Sequence, residues 1–241
     1  MQRKILTIPL LFFSVALPVF LMGMAGCHPG YLKKTGESPP APVIHKVVVV
    51  GFGAVRTAAE KPGVVRGPIS GSVYAGGPVP GVAARIMTDA LFDRMVESKK
   101  YQLISPGQAK GVSSSILDSD ECLGVGTVRL LQKIGKAFGA DAVLAGHIYR
   151  WQERAGTDYA VNRPASVAFD LHMIRPEDGR ILWKGKFDKT QRSLSENLLD
   201  WAIFRQGRGR WMTVEELALY GLGKMLKEMP GGREGGEEKK P

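Results

Sequence analysis

The chain has 241 residues, of which 44% are hydrophobic and 23% are charged, and this ordinary globular composition excludes wholesale disorder and a polytopic membrane protein. The length suits one domain, or two at most. Lysine and arginine outnumber aspartate and glutamate by 33 to 23, and the resulting net charge of +10 favours an anionic partner or surface.

The first 26 residues are typical of a secretory signal peptide. Arg3 and Lys4 form a short positive start, and the chain then runs almost entirely apolar from Ile5 to Met22. A run of this length is also at the lower limit of a membrane-spanning helix. Two prolines interrupt it, however, and no cluster of basic residues follows it, so cleavage is favoured.

The sequence Met24-Ala25-Gly26-Cys27 resembles the lipobox of bacterial lipoproteins, in which a cysteine after small residues receives a diacylglycerol. The resemblance implies that Cys27 becomes the triply acylated mature N-terminus, with palmitate as a typical acyl chain, which suffices for stable anchoring. His28, rather than aspartate, follows. In enterobacterial lipoproteins this implies release to the outer membrane. An ordinary signal peptide with an incidental cysteine is the alternative.

The rest of the chain divides into three parts. Residues 27–43 are rich in proline and glycine and predict a lipidated tether. A single α/β domain is predicted for residues 44–230. Residues 231–241 hold glycine and charged residues, with no apolar side chain except proline, and predict a disordered tail. Because no nucleic acid is expected in the periplasm, the positive charge should face lipid headgroups, peptidoglycan or an acidic protein, and a solvated basic surface without a partner is the alternative.

The predicted elements of the domain follow the order β-α-β-α-β-β-β-α, which gives an α/β fold with a mixed β-sheet and packed helices. Strands are expected at 46–52, 101–104, 142–153, 166–174 and 180–188. Helices are expected at 83–98, 125–138 and 213–229, with a further helical piece near 195–204. The Gly/Pro-rich segment 56–82 is expected to be a long loop.

Three local signals refine these elements. Strand 166–174 alternates, with apolar side chains on one face and with Asp170 and His172 on the other. Glu177-Asp178-Gly179 predicts a hairpin turn after it. Thr213 and Glu216 predict a capping box at the start of the last helix.

Residues 139–148 (GADAVLAGHI) form a helix end that leads into a buried strand, and residues 171–183 (LHMIRPEDGRILW) form a strand, a turn and a second strand. Together these motifs resemble a bacterial envelope group built on the fold of the TolB amino-terminal domain. This group includes the curli secretion channel lipoproteins and the lipoprotein activators of penicillin-binding proteins. The resemblance spans roughly 43–229 and implies the fold much more than a function. The two long amphipathic hairpins of the curli channel are not found in the sequence.

Signals for catalysis are sparse. Gly51-Phe52-Gly53 follows a valine run, but the third glycine of a dinucleotide fingerprint is absent. His147 and His172 could lie on neighbouring antiparallel strands. With Asp170 or Asp141 they could form a metal site, although no His-x-x-x-His or Cys-x-x-Cys spacing supports one. We therefore expect no catalytic, cofactor-binding or metal-binding residues, and no enzyme activity.

Arg205, Arg208, Arg210 and Trp211 are the candidate interaction surface. Basic and aromatic side chains in a loop suit a lipid interface or an anionic partner, and an exposed linker between two helices is the alternative. The long loop at 62–82 is a second candidate surface, because loops of this length are often functional.

The sequence thus predicts a non-catalytic outer-membrane lipoprotein, lipid-anchored on the periplasmic side, that acts as an adaptor or assembly factor of an envelope complex. Its partners would be envelope proteins, and a homo-oligomer is left open. The alternative is an oligomeric subunit of a secretion or transport channel.

Overall fold

The computed structural model describes residues 43–55, 63–117, 126–157, 160–192 and 210–231. The predicted signal peptide, nearly all of the predicted tether and tail, and the predicted helical piece near 195–204 lie outside these residues. Among the helices that are described, none combines the length and the apolar character that a membrane span requires.

The described residues form nine strands and four helices. The strands are β1 (Lys46–Ala54), β2 (Val64–Arg66), β3 (Val73–Ala75), β4 (Gln102–Ile104), β5 (Ala142–Gln152), β6 (Ala155–Gly156), β7 (Val161–Arg163), β8 (Ser166–Ile174) and β9 (Ile181–Thr190). The helices are α1 (Gly81–Ser98), α2 (Pro106–Leu117), α3 (Thr127–Ala137) and α4 (Val214–Lys227).

A five-stranded mixed sheet in the order β4-β1-β5-β8-β9 forms the centre of the fold. Strands β4, β1 and β5 are parallel, and β5, β8 and β9 are antiparallel. Two short hairpins, β2–β3 and β6–β7, lie outside this sheet. Because β8 is central and covered on both sides, all of its residues are buried.

The two faces of the sheet carry different covers. On the first face, α1 and α4 pack against a large apolar cluster that includes Val47, Leu144 and Phe169. On the second face, α2 and α3 pack on a smaller cluster that includes Val48 and Val143. The remainder of the second face is covered by the β2–β3 hairpin, whose Tyr74 packs with side chains of β5 and β8.

The predicted fold class is confirmed, because the five predicted strands are the five strands of the central sheet and three of the predicted helices are α1, α3 and α4. The predicted capping box of α4 is also confirmed. The predicted order lacks β2, β3, α2, β6 and β7. Segment 56–82 is not simply a loop, since it contains the β2–β3 hairpin.

Helix α2 is an element that the sequence did not predict. Pro106 begins this helix, where the missing N–H of proline is not needed.

Gly51 forms a bulge inside β1. Its φ of +91° suits glycine, and an added Cβ would lie 2.4 Å from Cγ2 of Thr88 on α1. The backbone N–H of Phe52 donates to Oγ1 of the same threonine at 2.8 Å. The strand then continues to Ala54, so the glycines do not form the strand-to-helix turn that a dinucleotide site needs.

Candidate functional site

Five side chains form a polar cluster on the second face of the sheet. His147 and Tyr149 extend from β5, Asp170 and His172 from β8, and Tyr74 from β3. The antiparallel register places His147 directly opposite Asp170, and His172 lies on the same face because it is two residues further along the strand. We refer to these five residues as the polar cluster.

One carboxylate oxygen of Asp170 accepts two tyrosine hydroxyls. Tyr149 donates to Oδ2 at 2.6 Å, and Tyr74 donates to the same oxygen at 3.0 Å. The two tyrosine rings are stacked, with centroids 3.9 Å apart and planes 8° from parallel. Asp170 is only 1% exposed, so these donors replace the water that a carboxylate would otherwise bind.

The other oxygen of Asp170 faces the two histidines. Nδ1 of His172 lies 3.5 Å from Oδ1, and Nδ1 of His147 lies 3.6 Å from it. Both distances exceed an ordinary N–H···O hydrogen bond. Within the described residues, these three buried atoms have no hydrogen-bond partner. A shift of about half an ångström would bring both ring nitrogens into donating distance.

The environment of the polar cluster sets its protonation. Burial raises the pKa of Asp170, but His147 and the Tyr149 hydroxyl outweigh this effect, so that the pKa of the carboxyl lies below its usual value. Burial lowers the pKa of His172. Burial, reinforced by Asp170, raises the pKa of Tyr74 and of Tyr149. At neutral pH the cluster therefore holds an ionised aspartate, a neutral His172 and two protonated tyrosines.

The cluster contains most of the residues that sequence reasoning weighed for a metal site. His147, His172 and Asp170 meet, whereas Asp141 lies elsewhere and accepts from the backbone N–H groups of His45 and Lys46. Among the described side chains, no group of three His, Cys, Asp or Glu residues is arranged to hold a metal ion. The arrangement instead suits hydrogen bonding around one buried carboxylate.

The β2–β3 hairpin closes the polar cluster. Nζ of Lys186 lies 4.4 Å from the Tyr74 ring centroid and donates to the carbonyl oxygen of Val73 at 3.4 Å. Nη1 of Arg150 donates to the carbonyl oxygen of Ala75 at 2.7 Å. Gly67 allows the close approach, because an added Cβ would lie 2.6 Å from the Tyr149 hydroxyl.

Sequence reasoning missed both tyrosines. Tyr149 lies in a predicted strand, but Asp170, which accepts its hydrogen bond, lies on β8, beyond the β6–β7 hairpin. Tyr74 lies 96 residues from Asp170 in the chain. The signal that could have been used is an isolated aromatic residue in the Gly/Pro-rich segment 56–82, since such a residue needs a buried contact.

The predicted interaction surface is only partly within the described residues. Arg205 and Arg208 lie outside them. The Arg210 guanidinium pairs with the Glu216 carboxylate, with N–O distances of 2.5 and 3.3 Å, and Trp211 is half-buried. Since Glu216 belongs to the capping box, Arg210 contributes to the start of α4. A role of these four residues in binding remains a prediction.

Among known proteins, similarity to this chain was found only in solved structures. No family model matches the chain, and no curated protein matches it in sequence. The fold is similar to the LpoB C-terminal domain from Salmonella enterica, with 18% identity, a TM-score of 0.38 and coverage of 64% of this chain and 87% of that chain. It is similar to lipoprotein GNA1162 from Neisseria meningitidis, with 14% identity, a TM-score of 0.39 and coverage of 67% and 96%.

A third similar structure is the PelC dodecamer from Paraburkholderia phytofirmans, with 12% identity, a TM-score of 0.40 and coverage of 77% of this chain and 90% of that chain. One of these similar structures is described as a lipoprotein. The likeness concerns the fold, and no activity is carried over from these proteins.

Proposed function

We propose that this protein is a non-catalytic lipoprotein of the bacterial envelope whose α/β domain acts as an adaptor or assembly factor. In this proposal Cys27 is acylated and anchors the chain to the periplasmic side of the outer membrane. The observation that carries the proposal is the Met24-Ala25-Gly26-Cys27 sequence directly after an apolar run. An extended tether over 27–43 would let the domain reach up to about 50 Å from the bilayer.

The polar cluster has a structural role rather than a catalytic one in this proposal. Its tyrosine hydroxyls are both used to bond Asp170, and the β2–β3 hairpin covers the carboxylate. A catalytic carboxylate needs access to substrate, whereas this one holds two segments of the chain together. Deletion of segment 56–82 would also remove Tyr74 and uncover Asp170, so a deletion does not separate binding by this segment from folding.

The anchor is tested by metabolic labelling with palmitate in cells that express the full chain. We expect label in the wild-type protein and in Cys122→Ser, but none in Cys27→Ser. Cys122→Ser is the matched control, since the chain has two cysteines. Fractionation of the unlabelled Cys27→Ser protein should show its loss from the outer membrane, while the uncleaved apolar run at 5–22 retains it in the inner membrane. Label in Cys27→Ser, or a cytosolic wild-type protein, would refute the anchoring.

The adaptor role is tested by crosslinking in cells followed by mass spectrometry. We expect the double variant Arg205→Ala, Arg208→Ala to lose its crosslinked envelope proteins without a change in melting temperature. Arg210→Ala serves as the comparison, because it also removes a salt bridge to α4 and should lower the melting temperature. Unchanged crosslinks in the double variant would remove this surface from the proposal.

The alternative, a channel subunit, makes a different prediction for the size of the particle. An adaptor should sediment as a monomer or dimer after extraction in detergent. A large closed ring of subunits would favour the channel instead.

A further inference from the structure

We propose that the outer edge of β9 binds an extended segment of a partner protein, in which apolar and acidic residues alternate, as an added strand. This inference rests on the proposed adaptor function and specifies the chemistry of the partner. It concerns a surface other than the one formed by Arg205, Arg208, Arg210 and Trp211.

Within the described residues, the outer edge of β9 is unpaired. The strand is the last in the order β4-β1-β5-β8-β9, and β8 is the one described strand that pairs with it. The backbone N–H of Gln191 donates to the carbonyl oxygen of Ala165, directly beyond the Ser166–Thr190 pair. Bonded and non-bonded pairs alternate in an antiparallel ladder. The peptide groups of Lys184, Lys186 and Asp188 therefore point away from β8.

The second face of this edge is positively charged. Lys184 lies opposite His172, and Lys186 lies opposite Asp170. Asp188 is neutralised by Arg150, whose Nη2 lies 2.7 Å from its carboxylate. Both lysines are exposed to solvent, and Lys186 also contacts the Tyr74 ring. An added strand would thus bring its side chains on this face towards lysine, which favours glutamate or aspartate.

The first face of this edge is a groove that combines apolar and charged side chains. A cavity of about 380 Å³ lies between β9 and α4, and its lining includes Phe187 and Met225 together with Lys189, Lys224 and Glu228. Gly185 and Gly221 also line it and let α4 pack closely on the strand, since an added Cβ at either would overlap Met225 or Phe187. Side chains of an added strand alternate between the faces, so every second one would enter this groove.

The charge of the edge distinguishes between possible occupants. A second copy of the chain, paired through the same strand about Lys184 or Lys186, would place lysine opposite lysine, which is unfavourable. Lysines on an edge strand also discourage pairing with neutral strands. An extended partner with carboxylates on one side and aliphatic side chains on the other satisfies both faces at once.

Binding is tested with the full chain in detergent and a fluorescent peptide that alternates glutamate and valine. The control peptides have the same composition in two blocks, or carry N-methyl groups on alternate residues, which blocks backbone pairing. We expect saturable binding of the alternating peptide, measured by anisotropy, and at least about tenfold weaker binding of both controls. Binding should also weaken as salt is added.

Two variants of Lys184 separate the contribution of its side-chain charge to peptide binding from that of its backbone N–H. Lys184→Ala should weaken binding by about threefold, as expected for one exposed ion pair. Lys184→Pro should abolish binding, because it also removes an N–H that points outward, while the ladder to β8 is kept. Melting temperatures of both variants show whether the domain remains folded. Equal binding by folded Lys184→Pro and by the wild type would overturn the proposal.

Amide exchange by NMR tests whether the edge is free. Without peptide, the amides of Lys184, Lys186 and Asp188 should exchange much faster than those of Gly185 and Phe187, and added peptide should slow them. Slow exchange without peptide would mean that another segment of this chain or a second copy covers the edge, which overturns the proposal. If the wild-type protein crosslinks to envelope proteins in cells but does not bind the peptide, strand addition alone is refuted. If it binds the peptide but gives no crosslinks to envelope proteins, the adaptor function alone is refuted.

Discussion

Replacement of Tyr149 by phenylalanine removes one oxygen from the centre of the polar cluster and keeps the ring. The hydroxyl donates at 2.6 Å to Asp170, whose pKa is lowered so that it is ionised at neutral pH. Buried hydrogen bonds to charged groups contribute about 1.5–3 kcal/mol. The stacking on Tyr74 should persist, and that residue still donates to the carboxylate, so we expect a loss of about 2 kcal/mol in the free energy of unfolding.

Urea unfolding followed by circular dichroism measures this loss, and in a domain of this size it corresponds to a melting temperature lower by about 4–8 °C. Tyr220→Phe is the matched control. Its ring packs 6.4 Å from Phe187, and in the described part of the chain no hydrogen bond of its hydroxyl is found. If Tyr149→Phe stays within about 0.5 kcal/mol of the wild type, as neutral surface substitutions do, the hydrogen bond to Asp170 does not hold the cluster together.

Three further predictions concern pH and backbone geometry. Burial lowers the pKa of His172, so as pH falls below 6.5 the unfolded chain binds a proton before the folded chain does. The free energy of unfolding should therefore decrease by up to about 1.4 kcal/mol per pH unit. His172→Gln should flatten this decrease when urea unfolding is measured at a series of pH values. Because the pKa values of Tyr74 and Tyr149 are raised above 10.0, stability should fall as pH rises past that value, and tyrosinate absorbance should increase together with unfolding. Gly51→Ala should cost about 2–5 kcal/mol in chemical denaturation through backbone strain and overlap with α1. Gly53→Ala is its control, since the nearest atom to an added Cβ there is 3.9 Å away.

The central sheet could be predicted because its strands are runs of β-branched and apolar residues with clear ends. The alternation along 166–174 also placed Asp170 and His172 on one face, and the structure confirms both positions. Helix α2 was missed because Pro106-Gly107 also suits a turn. A proline at the first position of a helix and a proline in a turn require the same φ, and local sequence does not separate them.

The polar cluster could be predicted only in part. That His147 and His172 lie on neighbouring strands follows from the element order, but the pairing of His147 with Asp170 depends on register. The contact of Tyr74 with Asp170 joins a short hairpin to a strand far along the chain, and no pattern in either segment encodes that distance. Packing of the whole domain decides it.

Tyr74 and Asp170 are 96 residues apart in the chain, so their contact should form late in folding. The hairpin that carries Tyr74 is synthesised long before β8, and its docking surface is complete only when β5 and β8 have paired, since Tyr149 lies on β5 and Asp170 on β8. The carboxylate of Asp170 keeps its water until that late moment. Expulsion of this water should therefore belong to the final consolidation of the domain, after the sheet is complete, and Tyr74→Phe should accelerate unfolding more than it slows refolding.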